Sequence, residues 1–163
     1  MSEGASYHED GRTFLNKNKK KYDVIFGDAF RSFYAVPYNL TTREAVGALS
    51  NSLTDKGIVI VNLVSALQGD KSLFLQAEYA TFKKVFPQVY LAPVADKSNG
   101  QLVQNIMLIA LKSHEVPTLM SVDSDMKKLL DHFIVATSFT TTVPALTDDY
   151  APVENYIMKL AEN

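Results

Sequence analysis

The chain has 163 residues, 47% of them hydrophobic, and a formal net charge of -2, enough for one domain with a sizeable core and no global pull towards nucleic acid or anionic membrane. It contains no cysteine, which excludes disulfides, thiolate nucleophiles and thiolate metal sites. No apolar run approaches membrane-spanning length and the first residues carry no apolar signal region, so the cytoplasm is the expected compartment.

Residues 1–9 are polar, and Tyr7 and His8 are read as the end of a short strand. Asp10-Gly11 marks a turn, and Phe14 and Leu15 follow in a brief helical or irregular segment. Lys17, Lys19, Lys20 and Lys21 form the basic cluster of the chain, read as a solvated loop. The strand at Val24–Gly27 comes next: Val24, Ile25 and Phe26 are a continuous apolar run, the pattern of a strand covered on both faces. Asp28 stands where that strand ends. Ligands of open α/β sheets sit at the carboxyl ends of the strands, so Asp28 either faces a ligand or caps a turn, and the residues alone do not choose. The loop that follows carries Phe30, Phe33, Tyr34 and Tyr38, which either line an apolar pocket or cover the sheet edge.

Thr41 and Glu44 have the spacing of a capping box, which predicts a helix to about Leu53 with Ala45, Val46, Leu49 and Leu53 on one face. Gly57 suits the position just past its end. Ile58 to Leu63 is a second buried strand, β-branched and near-continuous, and it puts Asn62 near its carboxyl end. Gly69-Asp70 opens a helix whose Leu75, Tyr79, Phe82 and Phe86 form a core-facing stripe, and Pro87 stops it. Val89 to Val94 and Leu102 to Leu111 read as two strands joined through Asn99-Gly100, a hairpin signal. Asp125 to about Ile134 is amphipathic, with Met126, Leu129, Leu130 and Phe133 on one side. His132 among them is expected to be a surface or satisfied core residue. A threonine-rich loop from Thr137 to Thr142 leads to a last helix through Leu160, with Pro152 at its first turn and Asp148, Asp149 and Glu154 at its positive end.

Several site types find no support. No phosphate-cradling glycine motif is present, no Ser-His-Asp set can be argued, and the three histidines lack ligand spacing, so no metal is expected. What remains is a group of carboxylates at strand ends: Asp10, Asp28 and the Asp148-Asp149 pair. A carboxylate can accept a hydrogen bond from an adenine amino group, or hold and deprotonate an amine nucleophile.

HEDGRTFL at His8–Leu15, YDVIFGDAF at Tyr22–Phe30, VPYNLTTRE at Val36–Glu44, GIVIVNLVSAL at Gly57–Leu67, QNIMLIAL at Gln104–Leu111 and LTDDYAPVENY at Leu146–Tyr156 occur in register over nearly the whole chain. Together they resemble the second half of the spermidine synthase family, in the class I S-adenosylmethionine-dependent methyltransferase fold, and are most similar to bacterial spermidine synthase-like proteins. The resemblance implies an α/β fold in one domain over residues 1–163: a partial Rossmann-like sheet, mostly parallel with a C-terminal antiparallel hairpin, flanked by helices. It implies Asp10 and Gly11 at the adenine of the nucleoside cofactor, Pro37 at the border of the adenine pocket, and Asp28 as the catalytic acid that orients and deprotonates the attacking amine. The implied cofactor is decarboxylated S-adenosylmethionine or S-adenosylmethionine, without metal. The implied reaction moves an aminopropyl group to an amine and releases methylthioadenosine.

The sequence departs from the family in two places. The glycine-rich nucleotide motif and the acidic residue after it are absent, which leaves the isolated chain an incomplete site. Where polyamine synthases carry a second Asp, three positions after the catalytic one, this chain has Arg31, a cation that would repel a diamine. The alternatives are therefore a non-catalytic interaction module and a methyltransferase with another acceptor. A small-molecule amine is the expected partner, without nucleic acid or membrane. Without the glycine-motif strand, the strand at Val24–Gly27 becomes an apolar edge, expected to be covered by a second copy, a partner chain or the N-terminal residues.

Overall fold

The computed structural model describes residues 6, 8–28, 37–134 and 139–161. Tyr7, Phe30, Arg31, Phe33, Tyr34 and Thr137 lie outside them. The elements are α1 (Gly11–Lys17), β1 (Tyr22–Gly27), a 3-10 turn (Tyr38–Leu40), α2 (Arg43–Asn51), β2 (Leu53–Ser65), a second 3-10 turn (Asp70–Ser72), α3 (Leu73–Lys83), β3 (Gln88–Pro93), β4 (Gln104–Leu111), α4 (Ser124–Asp131) and α5 (Val153–Ala161). The strands form one sheet in the order β1-β2-β4-β3. β1 is parallel to β2, and β4 is antiparallel to both β2 and β3. Three strands therefore share a direction and β4 alone opposes them, the α/β arrangement with a late antiparallel hairpin that the pattern predicts.

One face of the sheet carries the core. Strict alternation along β2 buries Val59, Val61 and Leu63, and the same face takes Val89 and Leu91 from β3 and Ile106, Leu108 and Ala110 from β4. Against them lies the predicted stripe, Leu75, Tyr79, Phe82 and Phe86, all buried. The rings of Phe82 and Phe86 stack with centroids 5.9 Å apart. Val46 from α2 and Val153 and Ile157 from α5 complete the cluster.

The opposite face is built as rows of register partners. Val24 faces Ile58, which faces Leu111; Phe26 faces Ile60, which faces Ile109. At the β3 end the Phe133 ring lies 6.0 Å from Tyr90 on this face, and Ile134 pairs with Leu91 along the outer edge of β3. At the β1 end the face is open. Val24 is 55% and Phe26 58% exposed, and Ile58, Ile60, Met107 and Ile109 are only half-buried. The expectation that β1 is covered on both faces is therefore corrected. An apolar run records the environment that suits a strand, and here the second layer is not among the described residues.

Other readings are corrected by local geometry. Thr42, not Thr41, caps α2, accepting from the Ala45 N–H at 3.3 Å. Glu44 does not close a capping box; its Oε2 accepts from the Asp148 N–H at 3.0 Å. The helix ends at Asn51, and Leu53 already belongs to β2. Gly57 lies inside that strand, beside the irregular register between Tyr22 and Val24. A Cβ on Gly57 would stand 2.9 Å from both Leu53 Cβ and the Tyr22 carbonyl oxygen, so close approach of two backbones explains the glycine. The β3–β4 hairpin forms, but Asn99-Gly100 is not a two-residue primed turn, since Gly69 is the glycine with positive φ (71°) among the described residues. The Gly100 carbonyl accepts from the N–H groups of Leu67 and Gln68 at 2.9 Å, and a Cβ there would meet Gln68 Cδ at 2.5 Å. His132 is satisfied, its Nδ1 2.8 Å from the Pro93 carbonyl oxygen.

Gly57→Ala should lower stability by about 1–3 kcal/mol, because one of the clashing atoms is backbone and cannot rotate away. Gly47, mid-helix in α2, has nothing within 4 Å of a built Cβ. Gly47→Ala should therefore raise stability by roughly 0.5–1 kcal/mol through helix propensity. Urea unfolding of both variants checks the pair, and equal effects would contradict the close-approach account.

Candidate functional site

Asp10 precedes α1 in an extended conformation and caps it, its Oδ1 accepting from the Thr13 N–H at 2.9 Å. Asn39 Nδ2 lies 3.4 Å from its other oxygen. The Thr13 N–H first, with Asn39 assisting against partial desolvation, holds the Asp10 carboxyl below the usual value of 3.8. Pro37 starts the turn beside it, its carbonyl accepting from the Leu40 N–H at 2.8 Å.

A polar network fixes this end of α1. Arg12 donates to the Asn39 carbonyl and to Thr42 Oγ1, both at 3.1 Å, and to Asp148 Oδ2 at 2.9 Å. Thr42 Oγ1 in turn donates to Asp148 Oδ1 at 2.5 Å. Three segments distant in sequence are fastened by one guanidinium and one carboxylate. Asp148, expected at the positive end of the last helix, serves this network instead.

Asp28 follows the last residue of β1. Asn62 Nδ2 donates to its Oδ1 at 3.1 Å, which sets the carboxylate in the next row of the open sheet face, beyond Phe26 and Ile60. Asn62 Oδ1 is buried without a hydrogen-bond partner among the described residues.

Between α1 and the outer edge of β1 runs a groove of about 580 Å³. Gly11, Phe14 and Gly27 border it, and Leu49, Glu78 and Phe82 form its inner wall. Gly11 is tightly set, since a Cβ there would stand 3.2 Å from Leu40 Cδ1. The structure thus brings the neighbour of Asp10 and the neighbour of Asp28 to one groove. The two carboxylates do not border it: Asp10 turns to Asn39, and Asp28 to Asn62.

Glu78 was absent from the expected site. Its side chain is 1% exposed, and its Oε1 has no hydrogen-bond partner among the described residues. Burial pushes its carboxyl well above the usual 4.5. A sequence signal existed: Glu78 stands four residues before Phe82 and three after Leu75, inside the apolar stripe. Arg12 and Asn39 had no such signal, because their partners are remote in sequence. Among the described residues no group of three or more His, Asp or Glu side chains could hold a metal ion, and no helix is long and apolar enough to cross a membrane.

Comparison with solved structures gives the same architecture. A structure described as a probable spermidine synthase from Corynebacterium glutamicum ATCC 13032 superposes with a TM-score of 0.69 at 21% identity, covering 88% of this chain and 54% of that one. The chain has the fold of the spermidine synthases. It spans about half the length of the corynebacterial chain. Spermidine synthase in complex with the transition state analogue AdoDATO matches at 14% identity over 94% of this chain and 46% of that one, with a TM-score of 0.45. MnmC2 from Aquifex aeolicus matches at 20% identity over 93% of this chain and 42% of that one, with a TM-score of 0.47. No family model and no curated protein matches the sequence.

Glu78 sets a pH dependence of sign opposite to a salt-bridged acid. With its native pKa raised, the folded chain holds a proton that the unfolded chain releases above about 4.5. Its contribution is intact below the unfolded value and is lost as pH rises towards the folded one, by at most about 1.4 kcal/mol per pH unit. Glu78→Gln should remove that slope, matching the parent near pH 4.5 and exceeding it at pH 8 in urea unfolding. A parent whose stability rises from pH 5 to pH 8 by the same amount as the variant's would refute this.

Proposed function

We propose that the chain is the acceptor-side portion of a spermidine synthase-like transferase, acting on an adenosyl sulfonium donor and an amine. The observation that carries the reading is the pairing of Asp28 with Asn62 at the carboxyl end of β1. It combines a carboxylate with a buried carbonyl oxygen that has no donor among the described residues. A primary amine has N–H groups for both acceptors, so the donor set fits that nucleophile. The position agrees with the rule that open α/β sheets bind ligands beyond the strand ends.

In this reading the donor, decarboxylated S-adenosylmethionine or S-adenosylmethionine, supplies an electrophilic carbon bonded to a sulfonium sulfur. Asp28 orients the neutral amine and takes its proton as the N–C bond forms and the C–S bond breaks, the electron pair staying on sulfur. Asp10 accepts from the adenine amino group, Gly11 allows close approach of the ring, and Pro37 borders it. Asp10 is suited to the role because its Thr13 contact keeps it ionised. Arg31 favours a second reading in which the acceptor is not a diamine, since a cation three positions after Asp28 repels a second ammonium group.

Isothermal calorimetry with methylthioadenosine tests the nucleoside half of the reading. Binding is expected, with Asp10→Ala weakening it by about tenfold, the worth of one hydrogen bond to a charged group. Asp28→Asn should retain that binding and lower methylthioadenosine release by about 10²–10⁴-fold, the usual contribution of a general base. A folded chain that binds no adenosyl compound would instead support the non-catalytic interaction module.

A further inference from the structure

We infer that Asn99-Gly100 is a site of spontaneous covalent modification. The Asn99 side chain closes on the Gly100 nitrogen, loses ammonia and opens to an aspartyl or isoaspartyl residue, and the isoaspartyl form releases the segment that follows β2.

Three features of the β3–β4 connection make this position reactive. The first is the electrophile. Asn99 is exposed, and its Oδ1 accepts from the Gln101 N–H at 3.2 Å. That contact folds the side chain back over the Gly100 backbone. It also places a donor on the oxygen that becomes negative when Cγ is attacked. The second is the nucleophile. Gly100 has no Cβ to crowd its nitrogen, and its N–H makes no hydrogen bond among the described residues. The third is the frame. The Asn99 carbonyl accepts from the Leu102 N–H at 3.2 Å, so both reacting groups are held in one closed turn. Asn51-Ser52 is the contrasting case. Asn51 is also exposed, but the Ser52 N–H is held by the Ala48 and Leu49 carbonyls at 3.0 Å, and α2 must open before that nitrogen is available.

The step needs only water. The Gly100 nitrogen gives its proton to solvent as it bonds to Asn99 Cγ. The Cγ–Nδ2 bond breaks, and Nδ2 takes a proton and leaves as ammonia. Water then opens the five-membered ring. Attack at Cγ gives aspartate, while attack at the main-chain carbonyl carbon gives isoaspartate, whose backbone runs through Cβ. The Gly100 carbonyl accepts from the Leu67 and Gln68 N–H groups, both at 2.9 Å. These bonds tie the β3–β4 connection to the segment after β2, at the end of the sheet where Asp28 also stands. One extra main-chain carbon ahead of Gly100 moves its carbonyl away from both amides.

Peptide mass mapping of aged protein tests the reaction. Asn99 should convert in the folded chain within about threefold of its rate in the urea-unfolded chain, whereas folding should slow Asn51 by about tenfold or more. Asn99→Gln should abolish conversion at this position, because the larger ring closes far more slowly. Hydrogen exchange tests the consequence. In the isoaspartyl fraction the Leu67 and Gln68 amides should exchange about tenfold faster than in fresh protein. Freshly prepared Asn99→Asp, with the same charge on a normal backbone, should keep the parental exchange. Folding that slows Asn99 as much as Asn51 would overturn the inference. So would isoaspartyl protein with parental exchange at Leu67 and Gln68, or Asn99→Asp accelerating those amides equally. None of these readouts depends on nucleoside binding or turnover.

Discussion

The structure depends on β2, which is hydrogen-bonded on both sides and buried on one face. Its register sets every row of the sheet: β1 is placed against it in parallel and β4 against it in reverse. Its inward residues Val59, Val61 and Leu63 supply the floor on which α3 packs. Outward, the same alternation produces Ile58, Ile60 and Asn62, so one period of two generates the core on one side and the Asp28 partner on the other. A slip of one residue would exchange the two. The core would receive an amide, and the Asp28 position would face a valine.

A second constraint acts through charge. α1 is only two turns long and none of its described residues is fully buried, so its half-buried face against Leu40 and α2 is supplemented by polar contacts. Arg12 adds to that packing by joining the Asn39 carbonyl, Thr42 and Asp148. The Arg12 side chain is 19% exposed, while Asp148 is 51% exposed, so the ion pair itself contributes little in solvent. Its effect is geometric: with the Thr42 and Asn39 contacts it ties α1 to the start of α2 and to Asp148.

The legible parts of the fold were those governed by local periodicity. The stripe of α3, the two strands of the hairpin, the end of β1 at Asp28 and the satisfied His132 all follow from spacing and residue type. The misread parts were governed by tertiary partners. Thr41 and Thr42 are equally good caps by composition, and the choice falls to Thr42 because Arg12 and Asp148 engage its hydroxyl. Gly57 and Gly100 each read as turn residues. Both are needed where another segment comes too near for a Cβ, a circumstance no local pattern records. Asp10 and Asp28 were marked by their place at the ends of elements. Glu78 is not marked by the pattern, because a stripe is recognised by its apolar members, and the polar residue inside it is the one that needs an explanation.

Two buried atoms without a hydrogen-bond partner among the described residues lie on opposite faces of the sheet. Asn62 Oδ1 sits beside Asp28 on the open face, where a ligand or a covering layer would meet it. Glu78 Oε1 sits on the packed face, behind the groove at the β1 edge. A single small ligand in that groove would not reach both without passing through the edge strand. The groove is lined mainly by apolar side chains, with Glu78 as its buried polar exception, a lining that small-molecule sites and packing surfaces share. Under the proposed function the amine is held at the tip of β1 by Asp28 and Asn62, while the groove bordered by Gly11 lies on the nucleoside side.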